Sequence, residues 1–90
     1  MKTFHVCVKG KVQGVWFRES TRQQAEALEL TGWVRNLPDG SVEAMISGED
    51  TKVDQMLIWF NTGSPHSRVE QVTSTEVSLE NNFNSFRITF

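Results

Sequence analysis

The chain begins with an alternation of apolar and polar residues in which Phe4, Val6 and Val8 form the apolar side. This period of two predicts a β-strand with one strongly apolar face. From about Ser20 to Leu30 the apolar residues recur at helical spacing instead, which predicts an amphipathic helix. The sequence therefore opens with a strand and a helix, and the segment between them is predicted to be a loop.

Two further alternating segments, Trp33–Leu37 and Ser41–Ser47, are separated by Pro38, Asp39 and Gly40. Proline, aspartate and glycine are typical of tight turns. We therefore predict that these two segments are strands and that they pair as a β-hairpin.

A second helix is predicted between Val53 and Phe60, where the apolar residues are spaced i, i+3, i+4 and i+7. We expect Asp50 or Thr51 to cap the start of this helix, because both side chains can accept from free backbone N–H groups. Gly63 is expected to end it.

Two more strands are predicted after the second helix. Val69–Leu79 is a long strand whose alternation slips after Val69, which indicates a β-bulge. Asn81 and Asn82 indicate a turn, and Phe86–Phe90 alternates as a short final strand. The order βαββαβ, followed by this short strand, predicts an α+β ferredoxin-like sandwich, in which two helices lie on one face of an antiparallel sheet.

Length and composition narrow the class of protein. Ninety residues predict one domain, residues 1–90. A formal net charge of −2 does not favour a nucleic-acid-binding face. The single cysteine, Cys7, cannot form an intrachain disulfide and is compatible with a reducing compartment. No apolar run approaches a signal sequence or a membrane span, so we expect a cytoplasmic protein with no membrane or nucleic-acid partner.

The loop Gly10–Arg18, which reads GKVQGVWFR, carries the candidate chemistry. Gly10 and Gly14 let it bend back on itself without side-chain clashes, so that its free N–H groups can converge on one point. The positive end of the following helix and the Arg18 guanidinium would add favourable charge. These features predict a pocket for a tetrahedral oxyanion such as phosphate. On the residues alone, a plain turn before a helix remains the alternative.

GKVQGVWFR resembles the acylphosphatase motif G-x-V-Q-G-V-x-F-R at every fixed position. A second segment, GWVRNLPDGSVE at Gly32–Glu43, resembles that family's G-W-V-x-N followed by D-G-x-V-E. The spacing of the two segments, Gly48 and the later SPHSRVE also fit, so the resemblance covers essentially the whole chain. It implies an enzyme that hydrolyses the carboxyl–phosphate bond of acyl phosphates to a carboxylate and inorganic phosphate.

The resemblance also implies roles for individual residues. Arg18 and Asn36 would be catalytic, with Arg18 binding the phosphoryl oxygens and Asn36 holding the attacking water. The implied substrate-binding residues, largely through their backbone N–H groups, are Gln13, Gly14, Val15, Trp16, Phe17 and Arg18. Without the resemblance, Arg18 could be a surface arginine, although its place at the end of a glycine-bearing loop favours a function. Asn36 would then be interpreted as a turn residue before Pro38.

The expected chemistry requires no cofactor. No spacing of His, Cys, Asp and Glu resembles a metal site, so we expect none. A carboxylate leaving group needs no strong acid, and the loose transition state of phosphoryl transfer is stabilised by positioning and charge. The expected partners are a small-molecule acyl phosphate and inorganic phosphate, which would be both product and inhibitor. We expect the chain to be a monomer.

Two other functions are alternatives to this one. The same element order occurs in the RNA-recognition motif, but that module stacks bases on aromatic residues of its central strands, and the segment SVEAMIS has none. A non-catalytic regulatory domain that binds a phosphorylated metabolite also fits the loop. Release of phosphate from benzoyl phosphate would distinguish an enzyme from such a domain.

Glu29 departs from the family pattern, because related sequences usually carry a glycine there. A glycine suits the left-handed conformation that often ends a helix. Either Glu29 adopts this strained conformation, or the helix continues to Gly32.

Overall fold

The computed structural model describes residues 1–78 and 83–89. Within these ranges the elements, in chain order, are β1 (Lys2–Lys11), α1 (Phe17–Ala27), β2 (Thr31–Asn36), β3 (Val42–Gly48), α2 (Asp50–Thr62), β4 (Arg68–Val77) and β5 (Phe86–Ile88). The predicted ends of the last two strands at Leu79 and Phe90, and the turn at Asn81 and Asn82, lie outside the described residues. The helices within the described residues are α1 and α2, and neither is long and apolar enough to cross a membrane.

The five strands form one sheet in the order β4-β1-β3-β2-β5. β1 pairs antiparallel with β3 and β4, and β2 pairs antiparallel with β3. β5 pairs parallel with β2, so the sheet is mixed rather than wholly antiparallel as predicted. The direction follows from the topology: the chain leaves β4 and re-enters the sheet from the same end, so β5 runs opposite to β4, and that direction is parallel to β2.

Both helices cover the same face of this sheet. Alternate residues of the inner strands, such as Val6, Val34 and Ala44, are fully buried together with the inward side chains of α1 and α2. The Phe17 ring of α1 lies 5.7 Å from that of Trp59 in α2, between ring centroids. The ring centroid of Phe60, also in α2, lies 6.5 Å from that of Phe17. The predicted α+β ferredoxin-like sandwich, with two helices on one face, is confirmed.

A β-bulge places the loop that follows β1. The register of β1 with β4 shifts between Lys9 and Gly10, which leaves Glu70 as the extra residue of β4 and confirms the bulge predicted after Val69. Gly10 has a φ of 132°, and a Cβ there would collide with the carbonyl oxygen of Arg68. A residue without a side chain is therefore needed where β1 bends into the loop.

The first helix starts earlier than predicted. α1 begins at Phe17 rather than Ser20, because Trp16 adopts a left-handed conformation with a φ of 61° and forms the N-cap. The Ser20 N–H donates to the Trp16 carbonyl at 2.9 Å, which is the first helical hydrogen bond. The end of the predicted loop therefore belongs to the first turn of α1.

The second helix starts at a different cap from the one predicted. Glu49, in an extended conformation, is the N-cap of α2, and the Val53 N–H donates to its carbonyl at 2.9 Å. The prediction of Asp50 or Thr51 as the cap is therefore wrong. Gly63 ends the helix as predicted, with a φ of 72°.

The end of α1 settles the two alternatives for Glu29. Glu29 is left-handed, with a φ of 59°. The Leu30 N–H donates to the Ala25 carbonyl at 2.8 Å, and the Glu29 N–H donates to the Glu26 carbonyl at 3.0 Å. These two bonds form a Schellman motif, which satisfies carbonyls that the ending helix would leave free. The helix therefore stops before Glu29 and does not continue into β2.

Candidate active site

A cavity of about 460 Å³ lies at the start of α1. Three segments that are distant in sequence meet there: the loop after β1 with the first turn of α1, the end of β2, and β5. The residues that line it are Val12, Gly14, Trp16, Phe17, Arg18, Glu19, Asn36 and Ile88. The structure thus brings together both predicted catalytic residues and three further predicted binding residues.

The backbone at this cavity favours an anion. Phe17, Arg18 and Glu19 form the first turn of α1, where N–H groups have no acceptor within their own helix. The positive end of the helix dipole lies at the same place. The potential at this helix start is therefore positive, although the whole chain carries a formal net charge of −2.

Asn36, the last residue of β2, also lines the cavity. Its Oδ1 is fully buried and accepts no hydrogen bond from the described residues. Buried polar atoms almost always have a partner, because an unsatisfied acceptor costs about 1–3 kcal/mol. An amide oxygen in this state, on a residue that lines the cavity, is suited to accept a hydrogen bond from a small donor such as water.

Gln13 connects the loop to the β2–β3 hairpin. Its Nε2 donates to the carbonyls of Leu37 and Ser41, both at 2.8 Å. Leu37 directly follows Asn36, so the Gln13 side chain ties the loop to the strand end that carries this asparagine. The side chain of Gln13 is therefore directed to the hairpin, and the role expected of its backbone N–H stays a prediction.

Val15 also supports the loop from inside the molecule. Its side chain packs against the core, and its carbonyl accepts a hydrogen bond from the buried Ser64 hydroxyl at 3.0 Å. Gln13 and Val15 are the two predicted binding residues that do not line the cavity. Their side chains instead hold the loop in place at two separate points.

The turn of the hairpin is braced by Asp39. The Ser41 N–H and hydroxyl donate to Asp39 Oδ1 at 3.0 and 2.5 Å. These hydrogen bonds, from the hydroxyl first, lower the pKa of the Asp39 carboxyl below its usual value. The charged Asp39 thus stabilises the turn whose carbonyls accept hydrogen bonds from the Gln13 side chain.

A carboxylate, Glu19, also lines the cavity, and Arg22 offsets its charge. Arg22 Nε donates to Glu19 Oε2 at 3.1 Å, its Nη2 contacts Glu19 Oε1, and its Nη1 donates to Glu26 at 2.8 Å. The hydrogen bonds from Arg22 lower the pKa of Glu19 below its usual value. Glu19 is therefore anionic at neutral pH and is paired with a cation on the next turn.

No group of three or more His, Cys, Asp and Glu side chains within residues 1–78 and 83–89 is arranged to hold a metal ion. Cys7 is half-buried on β1 and alternates with the buried Val6 and Val8, so it lies on the sheet face away from the helices. The polar side chains that line the cavity are those of Arg18, Glu19 and Asn36.

The family model of acylphosphatase matches residues 4–88. The chain belongs to the acylphosphatase family. Among curated relatives, the acylphosphatase of Thiobacillus denitrificans is 51% identical over 80 residues, which are 89% of this chain and 90% of that one. The acylphosphatase of Burkholderia ambifaria is 49% identical over 87 residues, which are 97% of this chain and 89% of that one.

Solved acylphosphatase structures have the same architecture. The enzyme from Bacillus subtilis matches with a TM-score of 0.95 at 35% identity over 100% of both chains. The structure from Coxiella burnetii matches with a TM-score of 0.93 at 43% identity, over 98% of this chain and 92% of that one. The predictions of the acylphosphatase family, of its fold and of an enzyme that hydrolyses acyl phosphates are confirmed.

Three residues of the acylphosphatase cavity were not predicted: Val12, Glu19 and Ile88. Glu19 follows Arg18 directly and would have been found if the helix had been predicted to begin at Phe17. Ile88 reaches the site only because β5 pairs beside β2, where Ile88 lies opposite Val34. This pairing is non-local, and the alternation in β5 gives no signal for it.

Proposed function

We propose that the chain hydrolyses acyl phosphates by direct attack of water on phosphorus, with Asn36 orienting the water. The observation that carries this proposal is the buried Asn36 Oδ1, which has no hydrogen-bond donor among the described residues. Asn36 lines a cavity that Arg18 and the first turn of α1 also line. An acceptor for water and a set of anion-binding groups thus occur in one site.

In this proposal the phosphoryl group binds to Arg18 and to the backbone N–H groups of the Gln13–Arg18 segment. The planar guanidinium can donate two parallel hydrogen bonds to phosphoryl oxygens. The N–H groups of the loop and the helix start supply donors for the remaining oxygens, as helix N-termini do for phosphates in general. Because the backbone donors are part of the fold, they need no reorganisation as charge develops.

No side chain acts as a general base toward the attacking water. Its oxygen bonds to phosphorus while the bond between phosphorus and the acyl oxygen breaks, and the electron pair leaves with the carboxylate. One water proton passes to a phosphoryl oxygen of the substrate, and the other stays on the attacking oxygen. An acyl phosphate dianion and water thus give a carboxylate and dihydrogen phosphate, and positioning with electrostatic stabilisation supplies the rate enhancement.

We further propose that residues 1–90 form one domain that works as a monomer in the cytoplasm. All groups that the mechanism uses come from one chain, and a single cysteine suits a reducing compartment. Inorganic phosphate, as the product, should compete with substrate for the same donors. No nucleic-acid or membrane partner is part of this proposal.

Substitution of Arg18 tests the binding half of the mechanism. Arg18→Ala should raise the inhibition constant of inorganic phosphate on the order of 10- to 100-fold, the effect of one or two lost charge-assisted hydrogen bonds. Arg18→Lys should not restore it, because a point charge cannot reproduce the planar fork. Arg87→Ala, at an exposed position of β5, is the matched control. Equal inhibition of Arg18→Ala and the parent enzyme would refute the assignment.

A further inference from the structure

Trp16 is an anomaly in the fold. Its side chain is 78% exposed, and its backbone is left-handed with a φ of 61°. A bulky residue rarely adopts this conformation, and an exposed indole gains little from burial. Strained residues that the surroundings hold in place cluster at functional sites.

Packing within the fold does not explain the exposure and the left-handed backbone of Trp16. The ring–ring contacts within the described residues join Phe17, Trp59 and Phe60, and Trp16 takes part in none of them. Ile58 is comparably exposed, at 70%, but it lies in regular helix and away from the cavity. Trp16 combines exposure, strain and a position on the cavity wall.

The lining of the cavity has two chemical parts. Arg18, Asn36 and Glu19 are polar, whereas Trp16, Val12 and Ile88 are among its apolar lining residues. A volume of about 460 Å³ is in the range of pockets that hold whole small molecules. It therefore leaves room for an organic group beside the phosphoryl group.

We propose that Trp16 is a specificity residue that binds the acyl group of the substrate, and that the preferred substrates are acyl phosphates with a flat, apolar acyl group. This inference rests on the proposed function, because it assumes that Arg18 and the loop fix the phosphoryl end. An indole offers a large rigid surface on which an aromatic acyl group can stack. A short acyl group such as acetyl presents less apolar surface to the indole and gains less from it.

The test compares kcat/KM for benzoyl phosphate and acetyl phosphate in the parent and in Trp16→Ala. We expect the benzoyl-to-acetyl ratio to fall roughly tenfold, which is what a lost hydrophobic contact of modest size contributes to discrimination. Hydrolysis of acetyl phosphate should fall less than hydrolysis of benzoyl phosphate. Trp16→Phe should retain most of the ratio, because it keeps an aromatic face.

Two further variants keep this test independent of folding. Trp16→Gly removes the indole and also the strained Cβ, so it should be at least as stable as the parent and should lose the same selectivity. Ile58→Ala removes a comparably exposed apolar side chain and should leave the ratio unchanged. An unchanged ratio in both Trp16→Ala and Trp16→Gly, or an equal loss with both substrates, would overturn the inference.

These outcomes separate the inference from the proposed function. If the ratio is unchanged while Arg18→Ala loses phosphate inhibition, the specificity role of Trp16 is wrong and the phosphate site stands. If Arg18→Ala and the parent bind phosphate equally, the phosphate site is wrong. The inference then falls with it, because nothing would fix the substrate against Trp16.

Discussion

At the residue scale, Gln13 shows how a motif residue can have a role that its sequence does not reveal. The sequence groups it with the substrate-binding residues, but its side chain donates to Leu37 and Ser41 carbonyls on the hairpin. Arg18 and Asn36 could be assigned to the site because the motifs that contain them are specific. The partners of Gln13 could not, because they are 24 and 28 residues away and depend on how the sheet is assembled.

Gln13→Glu should lower kcat more than tenfold, because a carboxylate cannot donate to the two carbonyls and the loop would lose its fixed distance to Asn36. The hairpin itself should persist, since both carbonyls also accept backbone N–H groups within the turn. The measurement is kcat together with a thermal melt. Gln55→Glu, which places the same charge at an exposed position of α2, is the control. A parental kcat in Gln13→Glu would show that the side chain does not position the site.

At the element scale, α1 is bounded by two residues in left-handed conformations, Trp16 and Glu29. The spacing of apolar residues predicted the helix, but neither boundary could be derived from it. Helix propensity gives no reason to expect a tryptophan at a left-handed N-cap. At Glu29 the sequence left two alternatives, which only the Schellman hydrogen bonds of Glu29 and Leu30 decide.

Glu29→Gly should be neutral or stabilising. The left-handed conformation costs a residue with a Cβ about 1 kcal/mol, and glycine avoids this cost. Glu29 also pairs with Lys52 at 2.5 Å, but both groups are at the surface, where ion pairs contribute little. Glu29→Ala removes the ion pair and keeps the Cβ, so it is the matched control. In denaturant melts Glu29→Gly should be more stable than Glu29→Ala, and the reverse order would contradict the strain argument.

At the scale of the whole molecule, the sequence predicted the element order and the bulge because both produce local patterns. The prediction of a wholly antiparallel sheet was wrong at β5, since its parallel pairing with β2 depends on a crossing from one sheet edge to the other. The motifs also did not predict the side-chain contacts on the sheet face away from the helices. On that face Glu43 lies between His5 and Arg35, with oxygen–nitrogen distances of 2.7 Å to each.

Glu43 should make the stability of the fold sensitive to acid. Burial alone would raise the pKa of its carboxyl, but hydrogen bonds from His5 and Arg35 lower it below the usual 4.5. A carboxyl whose pKa is lower in the folded state stabilises the fold above its unfolded pKa. That contribution is lost as pH falls through the folded pKa. Below about pH 4.5 the parent should therefore lose stability more steeply than Glu43→Gln.

Thermal melts across the acidic range check this expectation. Glu70→Gln, at an exposed position of β4, controls for the removal of one carboxylate. Glu43→Gln should be less stable than the parent at neutral pH and should approach it as the pH falls. Parallel pH profiles for the parent and Glu43→Gln would show that this carboxylate does not contribute to acid sensitivity.

The central claim is that binding of the phosphoryl group and positioning of the water are separate tasks, and kinetics of Asn36 variants test it most directly. Asn36→Ala leaves Arg18 and the loop in place, so inorganic phosphate should inhibit it about as well as the parent. Its kcat should fall on the order of 10²–10³, the usual effect of losing one positioned transition-state contact. Asn36→Asp should have an equally low kcat and weaker phosphate inhibition, because its negative charge repels the phosphoryl group.

Asn61→Ala, at an exposed position of α2, controls for loss of an amide elsewhere. The measurement is kcat with benzoyl phosphate beside the inhibition constant of inorganic phosphate, for the parent and each variant. The account predicts a low kcat with an unchanged inhibition constant for Asn36→Ala. A kcat near the parental value in Asn36→Ala would contradict it and would return Asn36 to the role of a turn residue.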